Sequence, residues 1–203
     1  MTRFAEQVMR LLLVMGWFLC AMSPISADDL LAKHFGGPFT LTSHDGRTVS
    51  DADFRGRFML VAFGYTHCPD ICPTVLAEMT NALDELGAVA DSIQPIFITV
   101  DPARDTTDVL SQYRKSFHSR LIMLTGSEQR IAGTAKAYRV HRRKYLFPRA
   151  AESDPNAYGV DHGSLVYLMG PDGKFVTFFP YGTSADKMAE VLRRYVEGAE
   201  PSH

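Results

Sequence analysis

Apolar residues come in short blocks along this chain, and turn residues separate the blocks. The densest block is residues 58–63, an unbroken apolar run entered through Asp53-Phe54-Arg55-Gly56-Arg57. Such a run predicts a strand buried on both faces, central in a sheet under helices. Residues 95–100 predict a second strand. In between, the period changes: residues 74–86 put Leu76, Met79, Leu83 and Leu86 on one helical face. Residues 101–106 end the second strand and lead into a helix to about Phe117. A further helix is expected over residues 127–138, opened by Ser127 as its cap, and a last one over residues 184–196. Residues 39–42 alternate, Ser43-His44-Asp45-Gly46 reads as a turn, and Arg47-Thr48-Val49 returns, which predicts an N-terminal hairpin. Residues 121–124 are a short apolar segment. Residues 140–147 are basic and partly alternating, one arm of an inserted hairpin, and residues 148–160 read as a loop. Residues 162–169 predict a strand, Pro171-Asp172-Gly173 a turn, and residues 174–179 its antiparallel partner.

Strands alternating with helices, then a terminal hairpin and helix, predict an α/β fold. The expectation is a thioredoxin-like mixed central sheet flanked by helices, with an N-terminal β-hairpin and an inserted hairpin. One domain over residues 38–203 is long enough for a full core. The net charge of −2 gives no reason to expect nucleic acid as a partner. Three cysteines are too few for a disulfide-stapled scaffold. Arg3 and Arg10 precede an uncharged apolar run over residues 11–22, followed by Ser23-Pro24-Ile25-Ser26-Ala27. That order predicts a signal peptide over residues 1–27, with a retained membrane anchor as the alternative. Residues 28–37 then form a linker. Cys20 follows Leu19, which is too large for the position before a lipidated cysteine, and reads as apolar filler.

The chemistry gathers in Tyr65-Thr66-His67-Cys68-Pro69-Asp70-Ile71-Cys72-Pro73. Cys68 and Cys72 follow the central strand and precede a helix, so a helix N-terminus favours the thiolate. Two thiols that close form a disulfide or bind a soft metal; the bland alternative is an inert buried pair. Proline follows each cysteine and stiffens a loop that an inert pair would not need. His162, expected at the start of a strand beside the central one, can reach this loop, although a histidine there is more often a surface residue. His67 adjoins Cys68, and neighbours on an extended chain point apart. Asp70 and Asp161 flank the site and either orient ligands or are solvated surface carboxylates. Arg104 and Asp105 either fix a neighbouring loop by ion pairing or simply begin a helix.

Gly64-Tyr65-Thr66-His67-Cys68-Pro69-Asp70-Ile71-Cys72-Pro73, Val100-Asp101-Pro102-Ala103-Arg104-Asp105-Thr106 and Val160-Asp161-His162 resemble the three signature blocks of the Sco family, copper-delivery proteins for cytochrome c oxidase assembly. The resemblance covers about residues 38–197. It implies a thioredoxin-like fold with copper held by Cys68, Cys72 and His162. Thiolates select copper(I) and imidazole also suits copper(II), so the set suits either state. Zinc accepts the same ligands, but a structural zinc site wants four. The function implied is a metallochaperone delivering copper to the binuclear site of cytochrome c oxidase subunit II, with other copper-handling proteins as partners. The alternative is a thiol–disulfide oxidoreductase working through a Cys68–Cys72 disulfide. Three residues separate the cysteines, where such oxidoreductases commonly have two, and Gly163 rather than proline follows His162. Whether the chain is an enzyme stays open at this point, and no catalytic residue is assigned. The expected location is exported: periplasmic, or anchored to the outer face of the cytoplasmic membrane through the N-terminal segment.

Overall fold

The computed structural model describes residues 35–147, 154 and 157–198. The expected signal or anchor, most of the linker and much of the 148–160 loop lie outside the described residues. The strands are β1 (Thr40–Ser43), β2 (Thr48–Ser50), β3 (Phe58–Gly64), β4 (Ile93–Thr99), β5 (Ile122–Thr125), β6 (Arg142–Leu146), β7 (Tyr158–His162), β8 (Val166–Met169) and β9 (Phe175–Phe179). The α-helices are α1 (Ile71–Leu86), α2 (Thr107–Tyr113), α3 (Glu128–Ala137) and α4 (Ala185–Val196).

Seven strands form one mixed sheet in the order β2-β1-β5-β4-β3-β8-β9, and β6 and β7 form a separate two-stranded sheet. β3 runs parallel to β4 and antiparallel to β8. Its apolar run is buried on both faces, as the sequence predicts. Met59, Val61 and Phe63 join Ile98, Leu124, Ile131 and Tyr138 on one face, where α3 packs. Leu60 and Ala62 join Leu76, Met79, Leu83 and Leu192 on the other, under α1 and α4. Each such side chain contributes about 1.5–3 kcal/mol on burial. The thioredoxin-like expectation holds, with the N-terminal hairpin β1–β2 joined to the sheet through antiparallel β1 and β5. Residues 121–124 carried too few positions to show a period, yet they become the strand that makes this join.

Two boundaries differ from the sequence reading, and both bear on the site. α1 begins at Ile71 rather than at Thr74. Pro73 does not prevent this, because the first helical turn has no use for its N–H. Cys72 is thereby drawn into the helix. His162 does not open the strand beside β3; it closes β7, and the strand beside β3 starts at Val166. β7 was hidden because Gly159 and Asp161 interrupt its apolar alternation. Gly159 lies opposite Tyr145 in β6. A Cβ there would meet the Tyr145 ring at 2.2 Å, so the tyrosine fills the space that the glycine leaves.

Gly64, the last residue of β3, has the same property beside the cysteines. A Cβ at Gly64 would stand 2.7 Å from Cys72 Sγ and 2.7 Å from Phe97 Cε2. Gly64→Ala is therefore expected to cost about 1–3 kcal/mol by overpacking. Urea unfolding measures it; unchanged stability would show that the two neighbours yield freely.

Candidate metal and thiol site

The site lies at the carboxyl end of β3, where open α/β sheets place their sites. Tyr65 stays buried as the chain leaves the strand. A turn follows, with the Cys68 N–H donating to the Tyr65 carbonyl (3.2 Å). Asp70 stands at the α1 N-cap but makes no side-chain cap bond. Cys68 Sγ takes that role in part, lying 3.5 Å from the Cys72 N–H. Cys72 is 3% exposed, while Cys68 is half-buried and faces the cleft.

The two thiols are consequently unequal. Cys68 is pulled down to about 5, chiefly because the Cys72 thiol donates to its sulfur; the N–H groups of Cys72 and Asp70 add to this, and burial opposes it. Cys72 is pushed up, first because it is that donor and then by its own burial. Near neutral pH the arrangement is a thiolate at the surface backed by a protonated thiol beneath.

His162 comes to this pair from the other sheet. Its Nε2 lies 3.5 Å from Cys72 Sγ. Its Nδ1 lies 2.9 Å from the Gly163 carbonyl, which can only accept, so Nδ1 is the donor there and Nε2 is the ring nitrogen turned toward the sulfurs. The Tyr65 ring meets the imidazole edge-on, with centroids 5.7 Å apart and planes at 89°. Cys68, His162, Tyr65, Ile71, Arg143 and Tyr145 are among the residues lining an open cleft of about 510 Å³. Among the described residues, no three His, Cys, Asp or Glu side chains stand ready as a metal cluster.

The remaining sequence candidates divide. His67 is exposed and turned to Thr66 Oγ1 at 3.1 Å, away from the sulfurs, as expected. The Asp161 carboxylate lies near His141 (3.4 Å) and Arg143 (3.7 Å), both on the arm. Asp70 acts through its backbone N–H on Cys68. Asp105 does fix the cysteine loop, but by hydrogen bonds rather than by pairing with Arg104. Its carboxylate is fully buried and accepts from the Thr66 hydroxyl (2.6 Å), the Thr66 N–H (3.1 Å) and the Thr99 hydroxyl (2.6 Å). Burial raises its affinity for a proton. Arg104 pairs instead with Asp101 (Nε to Oδ2, 2.5 Å). Sequence reasoning passed over Tyr65, Thr66 and Tyr158. Only the polar Thr66 in an otherwise apolar and turn-forming stretch gave any signal.

The unequal thiols predict an alkylation profile. With iodoacetamide, Cys68 should react with a half-maximal rate near pH 5, where an ordinary cysteine has its midpoint near about 8.5. Cys72 should react slowly across the range, and Cys72→Ala should move the Cys68 midpoint upward, since the principal donor is gone. A Cys68 midpoint near that of a free cysteine would contradict the geometry.

The SCO1/SenC family profile matches residues 27–197. The chain is 41% identical to the human mitochondrial protein SCO1 homolog over 166 residues, covering 79% of this chain and 54% of that one. It is 40% identical to the bovine mitochondrial protein SCO2 homolog over 162 residues, covering 79% and 59%. It thus spans a little over half the length of these curated relatives. Among solved structures, Bradyrhizobium japonicum ScoI with copper bound is 41% identical, with a TM-score of 0.72 over 79% of this chain and 99% of that one. A match over nearly the whole described fold, cysteine loop and histidine arm included, places the chain in the SCO1/SenC family.

Proposed function

We propose that this chain carries copper as cargo on Cys68, Cys72 and His162 and hands it to the binuclear copper site of cytochrome c oxidase subunit II during assembly. The observation that carries the reading is that the buried Cys72 sulfur lies 3.5 Å from His162 Nε2, while Cys68 and His162 both line the open cleft above it. Two thiolates suit copper(I), and the added nitrogen suits copper(II). The Gly163 carbonyl, rather than Asp70 or Asp161, orients the imidazole. The relative at 41% identity that holds copper supports copper as the cargo. Burial gives an order to transfer. Cys68, half exposed, is the ligand that an incoming sulfur reaches first, and Cys72, beneath it, is released last.

A second reading rests on the same two sulfurs. The Cys68 thiolate would attack a target disulfide and form a mixed disulfide, expelling one target thiolate. Cys72, giving up its proton, would then attack Cys68 Sγ, leaving a Cys68–Cys72 disulfide and a reduced target. The low Cys68 value favours this step as much as it favours copper. Only the copper reading needs His162.

Cys68→Ala and Cys72→Ala should each abolish stable copper binding, and the oxidised pair should bind none until reduced. His162→Ala should weaken copper(II) by about 10-fold or more while retaining copper(I), since two thiolates suffice for the softer ion. Isothermal or competitive titration with each ion measures this. Oxidase assembly that survives loss of copper(II) binding in His162→Ala cells would favour the reductase.

The same proposal takes residues 1–27 as the route out of the cytoplasm, as a cleaved signal or as an anchor in the membrane. Among the described residues no helix is long and apolar enough to cross a membrane. Residues 1–30 fused to alkaline phosphatase should give activity, which needs an oxidising compartment; an inactive fusion would end the export reading.

A further inference from the structure

The arm that carries His162 is a sheet of its own. β6 and β7 pair only with each other among the described residues, with no ladder to the seven-stranded sheet that carries the cysteines. Side chains rather than a strand ladder therefore fix the imidazole against the sulfurs: Tyr158 and Val160 pack into the core, and Arg142, opposite His162, donates to the Val100 carbonyl. We infer that the buried Asp101–Arg104 pair is the positioning device that sets His162 against the cysteine loop. The inference rests on the copper reading for its consequence, though not for its geometry.

Arg104 grips β7 at the end opposite His162. Its Nη1 donates to the Tyr158 carbonyl at 2.9 Å, and its guanidinium lies 3.7 Å from the centre of the Tyr158 ring. It also lies 5.6 Å from the centre of the Tyr65 ring, the same ring that meets His162 edge-on. Asp101, 0% exposed, holds Arg104 Nε and also accepts the Tyr158 hydroxyl at 2.9 Å. The carboxylate thus faces Arg104, the Tyr158 phenol and, at 3.8 Å, the Lys144 ammonium of β6. A planar fork that pairs, donates and stacks at once is a task for arginine; lysine is a point charge on a flexible stem and cannot do all three. The Tyr65 ring links the clamp to the imidazole from the cysteine side. The cysteine loop has its own anchor in Asp105 and does not need the clamp.

The test compares Arg104→Lys, which keeps the charge beside Asp101, with Tyr158→Phe, which removes the hydroxyl and its bonds to Asp101 and Lys144. Without copper, NMR should show the His162–Tyr65 ring contact weakened or lost in Arg104→Lys, with the Cys68 alkylation rate unchanged. With copper, copper(II) affinity should fall about 10- to 100-fold, the range for partners that orient a ligand, and the sulfur-to-copper(II) absorption should shift. Copper(I) affinity should stay within about threefold. Tyr158→Phe should change the same readouts in the same direction and less. In a His162→Ala background, Arg104→Lys should cost nothing further in copper(II) affinity, because the two residues act as one unit. A ring contact that persists in Arg104→Lys, or an equal copper(II) loss with and without His162, would overturn the inference. If the wild-type protein binds no copper, the copper reading fails, and the ring contact still decides the clamp.

Discussion

The site depends on a single short connection, residues 100–105 at the end of β4. The Val100 N–H donates to the Gly64 carbonyl at 2.7 Å, and its own carbonyl accepts from Arg142 Nη2 of β6 at 2.8 Å. Asp101 and Arg104 hold β7, and Asp105 holds the cysteine loop. The two parts of the cleft are therefore referenced to one rigid point, the end of a strand that is buried along its whole length. Two carboxylates with 0% exposure stand in that connection. Breaking a buried pair costs about 3–5 kcal/mol, and hydrogen bonds to a charged group about 1.5–3 kcal/mol each. A segment that must hold its shape has strong internal reasons to do so.

The same economy governs the thiols. Asp70 at the helix N-cap leaves the first N–H groups of α1 without a side-chain oxygen, and Cys68 sulfur stands there instead. The helix end stabilises the thiolate, and the thiolate caps the helix. Gly64 lets Cys72 come close to the sheet. With Cys72 buried and donating, negative charge is concentrated on the one sulfur that faces the cleft. The asymmetry arises first from the hydrogen bond between the two sulfurs, which the helix start at Ile71 brings together, with burial and the nearby His162 and Asp105 charges adding to it.

That start was the least legible part of the sequence. The apolar face of Leu76, Met79, Leu83 and Leu86 marks the helix, but proline at 73 argues against extending it backward until its first-turn tolerance is applied. The central strand was legible because residues 58–63 leave no other interpretation, and the cysteine spacing was legible because nothing else in that loop needs sulfur. The register of His162 was not. A strand of five residues containing Gly159 and Asp161 has no period to read; its partner Tyr145 supplies the missing packing from elsewhere in the chain. Arg104 and Asp105 were visible as charges that either fix a neighbouring loop or simply begin a helix. In the fold they turn to different elements, Arg104 to β7 and Asp105 to the cysteine loop, and tertiary geometry alone separates those two cases.

A site assembled from two bodies behaves differently from one built on a single rigid element. Both sulfurs belong to the main sheet and its first helix turn, so their spacing is fixed by backbone hydrogen bonds. The imidazole belongs to an arm joined to that body by side chains, among them the Arg104 guanidinium, the Tyr158 phenol, Arg142 at Val100, Lys144 beside Asp101, and Tyr158 and Val160 packed into the core. Side-chain tethers yield at lower cost than a strand ladder, because each can break without unzipping its neighbours. A nitrogen ligand on such an arm can close on an ion and withdraw from it while the thiolates stay in place. Under the proposed copper reading, that division puts the reversible step on His162 and the retention on buried Cys72, with half-exposed Cys68 the sulfur that a partner meets first.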